Sequence, residues 1–437
     1  MKYYNLKDKQ ENVNFKTAAI KSQGRQKGLF FPEEIPQFNE EFIQNLHLYS
    51  DEEIAFKCMK DLIGDEIPPE ILKTITAETV SFEIPLKKIN ERISILELFH
   101  GPTLAFKDVG ARFMSRCLSY FLKDQDKKVT VLVATSGDTG GAVAHGFYNV
   151  PGIRVVILYP KNRVSDVQEK QLTALGGNIS ALEVNGNFDD CQNLVKQAFS
   201  DESINSALFL TSANSINVAR WLPQQIYYLL ALKQWKQHEN QDPVIGVPSG
   251  NFGNICAGLL AYFRGLPAEH FIAACNENDV VLDYLKNHQY RPKKAIATLS
   301  NAMDVGDPSN FTRILELFGH QFDHLKNMIS GYSIDDESTL KTIKEVYEKY
   351  EYILDPHSAV AFAAMEQYLN DNPGKKGFIL GTAHPVKFPE AVEKAAHIII
   401  DIPESLNDLM KKEKKTVEIN ADFEELKRFL LKINQEQ

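Results

Sequence analysis

Cysteine is scarce and arranged for neither of its structural uses. Cys58, Cys117, Cys191, Cys256 and Cys275 are odd in number, widely spaced and free of any CxxC pair, which argues against a disulfide framework or a cysteine zinc site. His100, His145, His320, His324, His357 and His384 likewise lack a metal-ligand spacing, so no metal is expected. Positive charge is not in excess: 48 Lys and Arg stand against 58 Asp and Glu, a formal charge of -10 that repels a nucleic-acid backbone. The densest basic group, Lys411, Lys412, Lys414 and Lys415, is interrupted by Glu413 and reads as a surface turn. No window approaches the roughly 18 apolar residues of a membrane span. The opening MKYYNLKDKQENVNF is charged where a signal peptide needs an apolar stretch, so a cytoplasmic protein is expected, with a small-molecule partner and neither nucleic acid nor membrane. Fixed-period repeats and low-complexity tracts are also missing, which sets solenoids and propellers aside.

What is present is an ordinary globular composition, 43% hydrophobic and 24% charged over 437 residues, long enough for two or three domains or subdomains. From Val129 onward short β-branched runs alternate with helical patterns, the mark of a mostly parallel sheet covered by helices. The strand candidates are VTVLVAT (129–135), IRVVILYP (153–160), ISALEV (179–184), LFLTS (208–212), PVIGVP (243–248), FIAAC (271–275) and KGFILG (376–381). Their near-continuous apolar character suits strands buried on both faces. VSDVQEKQLTAL reads as a helix stopped by Gly176 and Gly177, and NVARWLPQQIYYLLALKQW as a long amphipathic helix that tolerates Pro223. Residues 1–95 lack this rhythm and read as a separate mixed segment, 96–400 as the α/β core, and 401–437 as a polar, mainly helical tail.

Four segments place polar or glycine residues just after an apolar strand, where open α/β sheets bind ligands. In HGPTLAFKDVGARF, Lys107 lies between Phe106 and Asp108; a desolvated lysine has a lowered pKa and can form a Schiff base with an aldehyde, whereas a helix-start lysine at the surface stays protonated. In VPSGNFGNICAGLLAYF, the run Ser249, Gly250, Asn251, Phe252, Gly253 and Asn254 leads into a small-residue helix. Its amides can turn toward one anion at the positive end of that helix, a phosphate cradle with neither a P-loop lysine nor GxGxxG spacing. In ATSGDTGGAVAHGF, Ser136, Gly137, Asp138 and Thr139 can hold a carboxylate or simply cap a helix. In LGTAHPVKFPEAV, the Thr382 hydroxyl can bond a ring nitrogen, or the segment is only a turn.

Taken in order, HGPTLAFKDVGARFM, ATSGDTGGAVAHGF, NSINVARWLPQ, VPSGNFGNICAG, SNAMDVGDPSN and GTAHPVKFPEAV resemble threonine synthases of the microbial and fungal type, and GLFFPEEIP resembles that family's N-terminal region. The resemblance runs from Met1 to about residue 400. It implies an α/β, fold-type II pyridoxal 5'-phosphate (PLP) enzyme, tryptophan synthase β-like, with two α/β subdomains behind an N-terminal segment. The implied activity is the conversion of O-phospho-L-homoserine and water to L-threonine and phosphate. By the same resemblance Lys107 is the cofactor-binding and catalytic lysine, Ser249 to Asn254 hold the cofactor phosphate, Thr382 meets the pyridine nitrogen and the Ser136–Gly140 loop grips the substrate carboxylate. The expected substrate-phosphate ligands are Lys161, Arg163, Ser215, Asn217 and Arg220. Rival readings are a phospho-lyase or a serine/threonine dehydratase of the same fold, and a catalytically silent binding protein. The resemblance implies a monomer or a homodimer.

Overall fold

The computed structural model describes residues 1–123 and 128–435. Three sheets organise the chain. The first is antiparallel, ordered β2-β1-β3, from β1 (Lys2–Asn5), β2 (Asp8–Asn14) and β3 (Phe30–Pro32). The second has six strands, β4 (Leu86–Lys88), β5 (Ile93–Glu97), β10 (Val244–Pro248), β11 (His270–Cys275), β12 (Ile329–Ser333) and β13 (Gly377–Gly381), in the order β12-β11-β10-β13-β5-β4. All its pairings are parallel except that of β4 with β5. The third is wholly parallel, ordered β14-β8-β7-β6-β9, and contains β6 (Val129–Ala134), β7 (Ile153–Pro160), β8 (Ile179–Asn185), β9 (Phe209–Thr211) and β14 (Val417–Asn420).

Strand alternation decides which side chains enter which core. In β6, Val131 and Val133 join the central cluster, while Leu132 and Ala134 join the cluster behind the five-stranded sheet. In β11, Phe271 and Ala273 face the central cluster, and Ile272 and Ala274 the cluster behind the six-stranded sheet. The period-two pattern thus places one apolar core between the two parallel sheets and one behind each. The outer layers come from the Asp336–Tyr350 and Pro356–Asp371 helices on one side and Phe188–Ala198 with Phe423–Gln435 on the other.

The seven strands expected from the sequence are all present. The element read as a long amphipathic helix is instead broken into Val218–Trp221, a 3-10 turn at Leu222–Gln224 around Pro223, and Gln225–Trp235. It is buried on every side from Asn217 to Leu232, which corrects the amphipathic reading: a helix enclosed within the core has no solvent face to make polar. The tail is not only helical either. Its β14 extends the five-stranded sheet beside β8, and Leu426 and Leu430 of its last helix are wholly buried. No described helix is long and apolar enough to cross a membrane.

Candidate active site

Lys107 opens the Lys107–Leu122 helix, and the loop before it is fixed at several points. The buried Asp108 carboxylate accepts the Thr103 amide at 2.9 Å and the Thr103 hydroxyl at 2.6 Å. Ala105 bridges to Ala383, and Phe106 donates its N–H to the Thr382 carbonyl at 2.9 Å. Lys107 and Thr382 are therefore tied together through backbone rather than through mobile side chains. Among the described residues the Lys107 amine makes no hydrogen bond or ion pair, and burial lowers its pKa to about 8. Asp138 opposes that shift; Lys387 and Arg220 reinforce it.

The Ser249–Asn254 loop leaves β10 next to the end of β13, because the two strands run parallel with Gly246 beside Ile379. Ser249 is anchored by its N–H to the Ala274 carbonyl at 2.8 Å and by its hydroxyl to the Val247 carbonyl at 2.8 Å. Gly250 is required by close approach: a Cβ there would stand 2.5 Å from the Cα of Met303. Asn251 braces the loop, accepting from the Ser309 amide at 2.7 Å and hydroxyl at 2.8 Å and donating to the Ser215 hydroxyl at 2.8 Å. Phe252 takes a left-handed conformation, φ 59°, at the start of the Gly253–Phe263 helix. Asn254 accepts both Tyr227 and Tyr228 hydroxyls, at 2.6 and 2.8 Å, while its buried Nδ2 has no acceptor. Among the described residues the N–H groups of Gly250 to Asn254 also find no acceptor. A turn that presents unpaired amides at a helix N-terminus, beside a lysine whose amine is held in a partly neutral state, fits the anionic tail and aldehyde of PLP. Thr382 is a buried residue whose hydroxyl makes no hydrogen bond among the described residues, which fits a ring-nitrogen partner.

The Ser136–Gly140 loop follows β6. The Gly137 and Gly140 amides bond the Thr135 hydroxyl at 2.9 and 2.8 Å, which shapes the turn. Gly137 sits at φ 134°, and a Cβ there would meet the Gln168 side chain at 2.6 Å. Ser136 and Thr139 are half-buried with hydroxyls that make no hydrogen bond among the described residues. Asp138 lies within the loop, buried, and takes Gln168 Nε2 at 2.9 Å and Lys387 Nζ at 2.7 Å on one oxygen. Burial alone would raise its pKa, but Lys387 and then Lys107 outweigh that and hold it well below the usual carboxylate range.

The five residues expected at a substrate phosphate are placed very differently. Arg220 is buried close to Lys107, its guanidinium bonded to the Ala213 carbonyl while Nε has no acceptor, and burial lowers its pKa to about 10. Ser215 lies against the Ser249–Asn254 loop, receiving the Asn251 and Asn310 amides. Asn217 has its side chain engaged by backbone: it donates to Ala19 and Ser212 carbonyls and accepts from the Ala219 amide as a helix cap. Lys161 forms an ion pair with Glu418 at 2.8 Å, and Arg163 is exposed. The structure thus gathers Ser215 and Arg220 with the loops after β5, β10 and β13, and leaves Lys161 and Arg163 beyond β7.

One residue that sequence reasoning missed is Lys387, wholly buried, bonded to Asp138 and to the Thr103 carbonyl at 2.8 Å. Its signal was a lone lysine between Val386 and Phe388 in a segment already singled out. Ser309 and Asn310, which brace Asn251 and Ser215, lie in the SNAMDVGDPSN segment.

The chain is similar to known proteins over its whole length. A model described as "Pyridoxal-phosphate dependent enzyme" matches residues 76–380, "Threonine synthase N terminus" matches 2–80, and "Threonine synthase, C-terminal" matches 358–430. Threonine synthase of Escherichia coli is 46% identical over 432 residues, covering 99% of each chain. The crystal structure of that Escherichia coli protein superposes with TM-score 0.92 over 99% of this chain and 100% of that one. A PLP-bound threonine synthase from Brucella melitensis, 33% identical, superposes with TM-score 0.92 over 100% of both chains. The chain, with its fold-type II architecture and its dependence on PLP, belongs to the threonine synthase family.

Proposed function

We propose that the protein converts O-phospho-L-homoserine and water into L-threonine and inorganic phosphate, with PLP attached at Lys107. The observation that supports this most strongly is the convergence of Lys107, Thr382 and the unpaired amides of Gly250–Asn254 beyond the carboxyl ends of the adjacent strands β5, β13 and β10. Bound there, PLP supplies an electron sink for negative charge at the substrate α-carbon. The amides of Gly250 to Asn254 hold its phosphate, and Thr382 meets its ring nitrogen. A threonine, unlike an aspartate, does not force that nitrogen to remain protonated.

Lys107 Nζ takes the α-proton, because an amine lowered to about 8 has an appreciable neutral fraction near physiological pH. The same amine, once protonated, can return a proton later in the cycle. The Ser136–Gly140 loop receives the substrate carboxylate through the Ser136 and Thr139 hydroxyls and its free amides. Arg220 and Ser215 are the foremost partners for the leaving phosphate, with Lys161, Arg163 and Asn217 behind them given their other engagements and positions. The same reading divides the chain into an N-terminal segment (1–95), a catalytic core (96–400) and a C-terminal tail (401–437), acting in the cytoplasm as monomer or homodimer.

A product assay tests the proposal. Threonine and phosphate formed in equal amounts from O-phospho-L-homoserine support it. Formation of 2-oxobutyrate from that substrate, or turnover of unphosphorylated threonine in its place, would overturn it.

A further inference from the structure

The loop assigned to the substrate carboxylate already contains a carboxylate. Asp138 is buried in the turn whose amides and hydroxyls are to receive an anion, and an uncompensated negative charge there would repel the ligand. Two cations lie within its electrostatic reach, Lys107 and Lys387. Lys107 has its nitrogen committed to covalent chemistry and proton transfer, so its charge is not constant through the cycle. Lys387 has no such duty. It is wholly buried, 2.7 Å from Asp138 Oδ1, and fixed from behind by the Thr103 carbonyl at 2.8 Å.

We infer that Lys387 is a positioning and specificity residue: by pairing permanently with Asp138, it neutralises the Ser136–Gly140 loop and makes it receptive to the substrate's α-carboxylate. This rests on the proposed carboxylate role of that loop. The pairing also crosses the site. Asp138 and its second partner Gln168 stand at the carboxyl end of the five-stranded sheet, whereas Lys387 and Thr103 follow β13 and β5 of the six-stranded sheet. Gln171, on the same helix as Gln168, reaches the same Thr103 carbonyl at 3.0 Å. Thr103 in turn holds Asp108, next to Lys107. The ion pair therefore sets the charge of the carboxylate loop and holds it against the segment that carries the catalytic lysine.

The alternative is that Lys387 only supports the fold, in which case either half of the pair could be lost with the same effect on any ligand. Charge neutralisation predicts opposite effects. Removing Lys387 leaves a buried anion, and removing the Asp138 charge leaves a buried cation.

The test uses PLP-loaded enzyme and calorimetric binding of two probes, L-threonine and L-threoninamide, which differ in the α-carboxylate. In Lys387→Met, L-threonine affinity should fall about tenfold or more relative to L-threoninamide, as expected when one partner of a buried charge pair is removed. In Asp138→Asn the preference should move the other way, toward L-threonine. The double variant D138N/K387M should return to a preference within about threefold of the parent, the signature of pairwise coupling. Lowering the pH from 8 to about 6 should restore L-threonine binding to Lys387→Met, because an unpaired buried carboxylate takes up a proton there. Equal loss of both probes in each single variant, or no recovery in the double variant, would overturn the inference. Threonine production by the parent enzyme is scored separately: if it is present while the preferences do not move, only the role of Lys387 fails.

Discussion

Phe106 donates its backbone N–H to the carbonyl of Thr382 at 2.9 Å, so the residue before Lys107 is stitched to the segment just after the strand Gly377–Gly381. That single bond joins two segments that are far apart in the sequence. It leaves Lys107 and Thr382 little freedom relative to each other: the spacing is set by a backbone contact that survives a change of side chain at Thr382, and at Phe106 any change other than to proline. Thr382→Ala should accordingly leave the fold intact, with Tm changed by only a few degrees, while altering the visible spectrum of bound PLP and lowering kcat. Absorption spectra and thermal melts on the same preparation check both halves.

The Lys107 amine, lowered to about 8, gives a pH prediction with a definite sign. Capture of PLP requires the neutral amine, so the association rate with apoenzyme should rise as pH increases and level off above about 8. An unperturbed lysine would keep rising toward about 10.4. Stopped-flow absorbance across pH 6 to 10 measures the midpoint.

Gly250 has no room for a side chain, because a Cβ would lie 2.5 Å from the Met303 Cα, which is backbone and yields little. Gly250→Ala should destabilise the protein by about 1–3 kcal/mol, the usual cost of overpacking. It should also weaken PLP binding, since the same turn presents the amides proposed to hold the cofactor phosphate. Denaturant unfolding and equilibrium dialysis of PLP test the two effects.

All five cysteines are buried and free, and burial raises each thiol, Cys58 to about 11 and Cys191 and Cys256 to about 12. A thiol-specific reagent at pH 8 should therefore react slowly or not at all with the native protein and should titrate five groups after unfolding. Prompt native reaction at any of them would contradict the packing.

Leu430 of the final helix is wholly buried against the cluster that includes Leu182 and Val184 of the five-stranded sheet. Leu430→Ala should cost about 2–5 kcal/mol, as for other large-to-small core changes. Hydrogen exchange should show the loss concentrated in the last helix and in the β14 and β8 strands, because β14 pairs directly with β8.

How far the sequence could be read depended on whether neighbouring residues carried the signal. Strands such as Ile153–Pro160 are apolar on both faces and announce themselves. The β12 strand, ISGYS, and the β14 strand, VEIN, do not, because glycine and serine interrupt the first and Glu418 and Asn420 the second, so neither forms an apolar run. The helical stretch around Trp221 gave a misleading amphipathic impression, since Arg220, Gln224 and Gln225 are polar yet buried, bonding backbone carbonyls inside the core. The glycine-rich turn and Lys107 were legible because their chemistry is local. Lys387 was not: nothing in its own segment reveals that Asp138, far away in the chain, will neutralise it. Asn217 shows the converse, a polar residue in a motif whose side chain caps a helix.

PLP is proposed to bond Lys107 and no other lysine, with the buried Lys387 close enough to compete. Borohydride reduction of the PLP-loaded enzyme, followed by peptide mapping, answers it most directly. A phosphopyridoxyl group is expected on the peptide containing Lys107 alone; a label on Lys387, or on any other lysine in its place, would rule out Lys107 as the attachment point.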